Sequence, residues 1–313
     1  MEIVEVTHQE FQRIITHPYH IFGSANFNVI NEDKCDGVFY LLCKDTKYRV
    51  GIIGGIRNNT FCSPFSAPFG GFVFLQQDVR ISHIDEAIVA LNIWAKGKQL
   101  SAIKIVLPPT IYQESFLAKQ TNSLYRSGFT ISNIDVNYAY HLHYFNDNYL
   151  ASIWHNARKN LKIALSNQFV LIPCNTPLQK ENAYNIIQQN RADRGFPLRM
   201  TWQQIQTTAA VIPADYFLVQ NEQAVHVAAA IVFHVAKGIV QVIYWGDLPE
   251  FAALKTMNFL SFKIFEHYHQ QQIQIIDIGP STEDSMPNYG LCEFKESIGC
   301  NISSKLTFSK TLI

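Results

Sequence analysis

The side chains best placed to do chemistry are cations grouped by spacing, and one acid closing an apolar run. Arg191, Arg194 and Arg199 flank the turn Gly195-Phe196-Pro197, and three guanidinium groups around one turn form a candidate anion site. Arg158 and Lys162 stand four residues apart, with Lys159 between them. A helix places that pair on one polar face, able to meet the phosphates of a tRNA or a nucleotide-linked substrate. Asp277 ends the run that starts at Ile273. Ligands of open α/β sheets gather beyond the carboxyl ends of strands, where a carboxylate can act as general base or orient an amine. Each group also has a plainer structural reading: a solvated helix face, helix C-terminal cations, a carboxylate capping a turn.

The segment Ser63–Gly71 holds two aromatic residues and two adjacent glycines without periodicity. It is too apolar for an idle surface loop, so Phe69 and Gly70 are candidates to line a substrate pocket between domains, or simply to plug the interface. No Gly-x-Ser-x-Gly, His-Glu-x-x-His or Cys-x-x-Cys is present, so no serine-hydrolase elbow, zinc-protease helix or zinc ribbon is indicated. His141-x-His143 has strand spacing but no third ligand nearby, and His267-x-His269 falls late in a helix; no metal is expected. The six cysteines are too dilute for a disulfide scaffold and read as free thiols.

These groups need elements to hold them. In the first half the pattern predicts a helix near Glu10–Ile15 and strands at 38–42, 49–56 and 71–75. A helix follows, N-capped by Ser82, with Ile84, Ala87, Ile88, Leu91, Trp94 and Ala95 on one face. Next come a strand at 103–107, a helix over 113–126 and strands from Phe129 to His143. The second half is expected to open with one helix over 149–167 and another over 178–194, then strands at 216–219, 225–235 and 239–245. A long helix over 253–269, a strand over 273–278, a short helix over 288–298 and a strand through 306–308 complete it. Lys237-Gly238 interrupts the apolar stretch 224–245, which reads as a hairpin rather than a membrane span.

Of 313 residues, 48% are hydrophobic and 16% charged, so disorder is excluded. Lys+Arg and Asp+Glu are both 25, so nothing suggests DNA binding by bulk charge. The acidic start Met1-Glu2-Ile3-Val4-Glu5 lacks the form of a secretory signal, and a cytoplasmic protein is expected.

The halves repeat. Pro109 and Pro280, and Gly128 and Gly299, stand the same 171 residues apart, and that offset also aligns Ile105 with Ile276 and Leu107 with Ile278. Two copies of one α/β domain, each a mixed sheet with a strand–helix–strand core, are expected. This order, with Asp277-Ile278-Gly279-Pro280-Ser281, Gly290-Leu291, Phe294-Lys295, Gly299 and the basic stretch Trp154–Lys162, resembles the tandem GNAT-fold acyltransferases of the FemAB-like group. The resemblance implies GNAT-like domains over 1–146 and 147–313, the second being the transferase domain. It implies a catalytic role for Lys295 of the Phe-Lys pair, with Asp277 beside it in a cleft bounded by Trp245. Tyr244 and Asn288, with Arg158, Lys162, Arg191 and Arg194, are the accompanying substrate-binding candidates. Lys295 is expected to be exposed, so that its removal costs within about 0.5 kcal/mol of stability.

Acetyl-CoA enzymes of this fold carry a glycine-rich loop before the long helix. Here Trp245-Gly246-Asp247-Leu248-Pro249-Glu250 stands there, and its two acids disfavour a pyrophosphate. No tightly bound cofactor is expected, and the donor is open between aminoacyl-tRNA and acyl-CoA. The leading function is transfer of an acyl or aminoacyl group to an amine of a cell-envelope precursor or small metabolite, with tRNA a candidate partner. The alternatives are a non-catalytic binding or scaffold protein on the same fold, and acetyl-CoA-dependent acetylation of a small amine.

Overall fold

The structure is a computed structural model and describes residues 1–312. The chain forms two compact units. One contains residues 1–136, Asp284–Met286 and the described residues from Ser303 on; the other contains Asn137–Glu283 and Pro287–Ile302.

In chain order the elements are β1 (Glu2–Val6), α1 (His8–Ile14), α2 (Ala25–Val29), β2 (Gly37–Lys44), β3 (Tyr48–Arg57), β4 (Thr60–Ser63), β5 (Val73–Phe74), α3 (Ile81–Gly97), β6 (Ala102–Val106), α4 (Glu114–Arg126) and β7 (Thr130–His141). Then come α5 (Tyr149–Ser152), α6 (His155–Leu165), β8 (Val170–Pro173), α7 (Pro177–Asp193), α8 (Trp202–Ala209), β9 (Ala214–Gln220), β10 (His226–Ala236) and β11 (Ile239–Asp247). The chain continues through α9 (Thr256–Gln270), β12 (Ile275–Pro280), the two-residue strands β13 (Thr282–Glu283) and β14 (Met286–Pro287), α10 (Tyr289–Ser297) and β15 (Asn301–Thr311).

The first unit's sheet runs β1-β2-β3-β4-β6-β15, with β5 also on β3; the second unit's runs β8-β9-β10-β11-β12-β7. In the first, β4 and β6 are parallel with Ser63 opposite Ile105, and Phe308 of β15 faces Ile105 from the antiparallel side. In the second, β11 and β12 are parallel with Val240 opposite Ile276, and Tyr140 of β7 faces Ile276 from the antiparallel side. Ile105 and Ile276 therefore hold the same place in two copies of one topology, as the 171-residue offset requires. Each copy takes its last strand from elsewhere in the chain: the early strand β7 closes the later sheet, and the late strand β15 closes the earlier one.

Helical periodicity explains the cores. Ile84, Ala87, Ile88, Leu91 and Ala95 of α3 bury against Phe61, Ile103 and Ile105. Leu260, Ile264, Phe265 and Tyr268 of α9 bury against Val240, Val242 and Ile276. Each such leucine, isoleucine, valine or phenylalanine side chain contributes roughly 1.5–3 kcal/mol. Trp94 is only partly buried, and its indole N–H donates to Glu5 at 2.7 Å.

Several expectations are corrected. The helix over 149–167 is broken: Ile153 and Trp154 are extended between α5 and α6. Ser82 is not the N-cap of α3, because the helix starts at Ile81 and Arg80 holds the cap position. The long helix starts at Thr256 rather than Ala253, after a six-residue 3-10 helix, Pro249–Leu254, and a left-handed Lys255. His143 lies in the turn after β7, so it does not share a strand face with His141. The patterning did not reveal β8 or α8. Among the described residues no helix is long and apolar enough to cross a membrane.

Candidate functional site

Past Gln241 and Asp277, β11 and β12 part. Their parallel register covers Ile239–Ile275, Val240–Ile276 and Gln241–Asp277, and goes no further. Two local irregularities turn the strands aside. In β11 a bulge at Ile243 lets Val242 face Val232 and Tyr244 face Ile231. In β12 the register against β7 shifts between Asp277 and Gly279, and Gly279 takes φ +75°, a left-handed conformation that favours glycine.

Asp277 fastens the fork. It is fully buried, in mid-strand rather than at the strand end expected from sequence. One carboxylate oxygen accepts from Asn137 Nδ2 and from the Gly279 N–H, both at 2.9 Å, and the other accepts from Gln241 Nε2 at 2.8 Å. The acid thus ties together β7, β11 and its own strand. Asn137 and Gln241 were missed in the sequence; the signal was a lone amide inside an apolar strand pattern.

Lys295 is 4% exposed, against the expectation of a solvated lysine. The ammonium donates to the carbonyls of Ile278 at 3.1 Å, Gly279 at 2.9 Å and Pro280 at 3.2 Å, and it lies 5.3 Å from the centre of the Tyr138 ring. Burial pushes its pKa down to about 8, and Arg191 adds to the lowering. Three carbonyls at the end of β12, past the last residue paired with β11, are thereby capped by a cation.

On the β11 branch, Tyr244 and Trp245 are half-buried. The Trp245 ring meets Phe294 edge-on at 6.2 Å. The Arg191 guanidinium lies 5.9 Å from the centre of the Tyr244 ring, and its buried Nε has no hydrogen-bond partner. Burial lowers the pKa of Arg191, and Arg194 adds to that.

The three arginines do not form one anion site. Arg194 pairs with Asp247 at 3.3 Å and Arg199 with Glu283, leaving Arg191 as the one of the three with no acid partner among the described residues. Asp247 is itself buried: Asn190 donates to its carbonyl at 2.6 Å, and the Thr256 hydroxyl donates to its carboxylate at 2.6 Å. An acid therefore touches the first residue of α9, while Glu250 is exposed.

The remaining candidates have structural duties. Arg158 folds back to donate to the carbonyls of Ala151, at 2.9 Å, and Ile153, bracing the break before α6; Lys159 and Lys162 stay exposed. Arg158 and Lys162 thus do not act as a free pair. Asn288 caps α10 by accepting from the Leu291 N–H at 3.1 Å. Phe69 and Gly70 belong to the interior of the first unit. Phe69 is 1% exposed, with Phe22 at 5.0 Å, His20 at 5.1 Å and Tyr112 at 4.6 Å. A Cβ on Gly70 would stand 2.7 Å from the Pro64 nitrogen. The loop packs into the first unit's own interior.

No protein-family model matches the chain, and no curated protein matches it in sequence. Solved structures do resemble it. FemX superposes with a TM-score of 0.71 at 13% identity, over 100% of this chain and 98% of that one. The C-terminal domain of a putative lysylphosphatidylglycerol synthetase from Agrobacterium fabrum gives 0.63 at 10% identity, over 98% and 93%. A tandem GNAT protein from the clavulanic acid biosynthesis pathway gives 0.55 at 10% identity, over 100% and 98%. Together with the repeated topology, these likenesses establish the fold: two GNAT-like units in one chain, of the kind seen in FemX.

Proposed function

We propose that this protein is an N-acyltransferase that moves an acyl or aminoacyl group onto an amine, using the fork between β11 and β12. The parting of those strands is the observation that carries the reading. Beyond Gln241 the main chain of β11 has no strand partner on the β12 side. Backbone N–H groups on such an edge can bind the donor's carbonyl and stabilise the oxyanion of the tetrahedral intermediate. The activated donor brings its own leaving group, so no protein nucleophile is needed. Lys295 and Asp277 act by position: one caps the β12 branch and the other fixes the apex. Arg191, over Tyr244 and without an acid partner, suits a phosphate of the donor or acceptor.

The donor favoured is aminoacyl-tRNA over acyl-CoA, because the Asp247 carboxylate lies against the first residue of α9, where a pyrophosphate would need a positive field. An amine of an envelope precursor is the favoured acceptor, a small metabolite the other, and the cytoplasm the place of action. The structural neighbours support this choice, since FemX and a putative lysylphosphatidylglycerol synthetase share the fold. A non-catalytic binding protein is the second reading, and the complete internal bonding of Lys295 favours it.

Thermal-shift measurements with CoA, UDP-sugars and an aminoacyl-tRNA analogue, followed by transfer of a labelled aminoacyl group to candidate amines, test the proposal. A ligand at 100 times its Kd adds about 2.7 kcal/mol of stability. Transfer that is lost in Arg191→Ala supports it. Binding without transfer to any amine selects the second reading, and neither binding nor transfer overturns both.

A further inference from the structure

The second unit contains another cavity, three turns along α7 from Arg191. Its volume is about 360 Å³, and Pro177, Lys180, Trp202, Gln206, Ala210 and Tyr216 line it. At 1.5 Å per residue, Lys180 and Arg191 are separated by roughly 16 Å along the helix axis.

The sequence builds this slot. Thr176 caps α7 and Thr201 caps α8, each in a reciprocal box with a glutamine, so Pro177 and Trp202 both fall on first turns at the rim. Alanines at 209, 210 and 214 leave the lining open where larger residues would fill it. The Trp202 ring is held by Tyr216, edge-on at 6.1 Å, and by Tyr184 at 5.6 Å. Tyr216 is buried and its hydroxyl is pushed up to about 12, so it stays neutral at physiological pH. The Lys180 ammonium sits 5.4 Å from the centre of the Tyr216 ring. It is the one charged side chain in the lining, and the lining has no acid. Gln206 is exposed at the mouth and offers both a donor and an acceptor.

We propose that this slot binds a mononucleotide: the base stacks on Trp202 opposite Pro177, Gln206 meets the base edge, and the phosphate pairs with Lys180. Aromatic stacking accepts any flat base. A single cation with no competing acid selects for a ring that carries an anion. The volume is at the lower end of the roughly 300–1,000 Å³ typical of small-molecule sites, enough for a base with its sugar. The assignment is independent of the transferase reading, since the slot shares no residue with the fork.

Calorimetric titration of the full chain with AMP, UMP, adenosine and inorganic phosphate tests it. Saturable binding of AMP and UMP at or below about 1 mM is expected, with adenosine roughly tenfold weaker and phosphate alone not binding. Lys180→Glu changes a half-buried side chain at the rim of the slot and should keep the fold. It should weaken AMP at least roughly tenfold and leave adenosine unchanged. Trp202→Ala should weaken both by roughly 5- to 150-fold, and Ala210→Phe, which fills the slot, should abolish both. Arg191→Ala should leave AMP binding intact. The proposal fails if AMP and UMP do not saturate, or if Lys180→Glu weakens adenosine as much as AMP. It fails equally if Ala210→Phe is without effect, or if Arg191→Ala removes binding, which would put the nucleotide in the fork.

Discussion

Replacing Lys295 by Met keeps the length of the side chain and removes the ammonium that caps the carbonyls of Ile278, Gly279 and Pro280. Removing one partner of a buried, hydrogen-bonded charge costs about 3–5 kcal/mol, which includes stranding the groups it served. The lysine's own burial offsets part of this, so we expect Lys295→Met to cost about 2–4 kcal/mol at pH 7. At roughly 2–4 °C per kcal/mol for a unit of this size, the melting temperature falls by roughly 4–16 °C. The pH dependence distinguishes this account from simple loss of packing. The folded protein gives up the Lys295 proton near pH 8, whereas the unfolded chain holds it to the ordinary 10.5. Between these values the unfolded state binds more protons, so wild-type stability should rise with pH through that window relative to Lys295→Met, which cannot titrate there. The rise amounts to about 3 kcal/mol at ~1.4 kcal/mol per pH unit. Urea unfolding of both proteins from pH 7 to pH 10.5 measures it. Parallel profiles across the window would refute the buried ammonium, and equal stabilities at pH 7 would refute the capping of the three carbonyls.

Asp277→Asn puts an amide donor among Asn137, Gln241 and the Gly279 N–H, and should cost about 2–3 kcal/mol in urea unfolding; a change under about 0.5 kcal/mol would show that the apex of the fork is not fastened by charge. In Gly246→Ala the new Cβ would stand 2.6 Å from Asn190 Cγ and Oδ1, displacing the side chain that bonds the Asp247 carbonyl. A loss of about 1–3 kcal/mol is expected from thermal melts, and an unchanged melt would mean that Asn190 is dispensable. Acetyl-CoA should bind weakly or not at all, given the buried Asp247 carboxylate on Thr256; a calorimetric Kd near ~1 μM, about −8 kcal/mol, would reverse the choice of donor.

Periodicity made the long elements readable, because α3 and α9 each bury one clean apolar stripe. It also concealed the break at Ile153-Trp154: the apolar spacing runs on through it, and the side chain that stabilises the break, Arg158, reads as a surface cation. Lys295 misleads for the same reason. Lysines are almost never buried, so composition places it in solvent, whereas the carbonyls of Ile278, Gly279 and Pro280 hold it inside. Phe69 was recognisable as too apolar for a loop, but its neighbours His20, Phe22 and Tyr112 lie well apart in sequence, and spacing cannot bring them together. The amides at 137, 190 and 241 carry no local pattern that names their partners. What they bond is fixed only when strands and helices from distant parts of the chain meet.

The last strand has a consequence for synthesis. Residues 307–311 complete the first unit's sheet against β6, yet they leave the ribosome after the whole second unit. Translation runs at ~5–20 residues per second, so the stretch between residue 136 and Ser303 takes roughly 10–30 s. For that time β6 is a bare edge, Ala102–Val106, with Ile103 and Ile105 on its inner face. An unpaired apolar edge is a template for joining another chain. The second unit, which receives β7 before the rest of its own residues emerge, meets no such delay. The usual order of maturation is thereby reversed: the part made first is finished last, and a fragment ending near residue 146 would carry that open edge permanently.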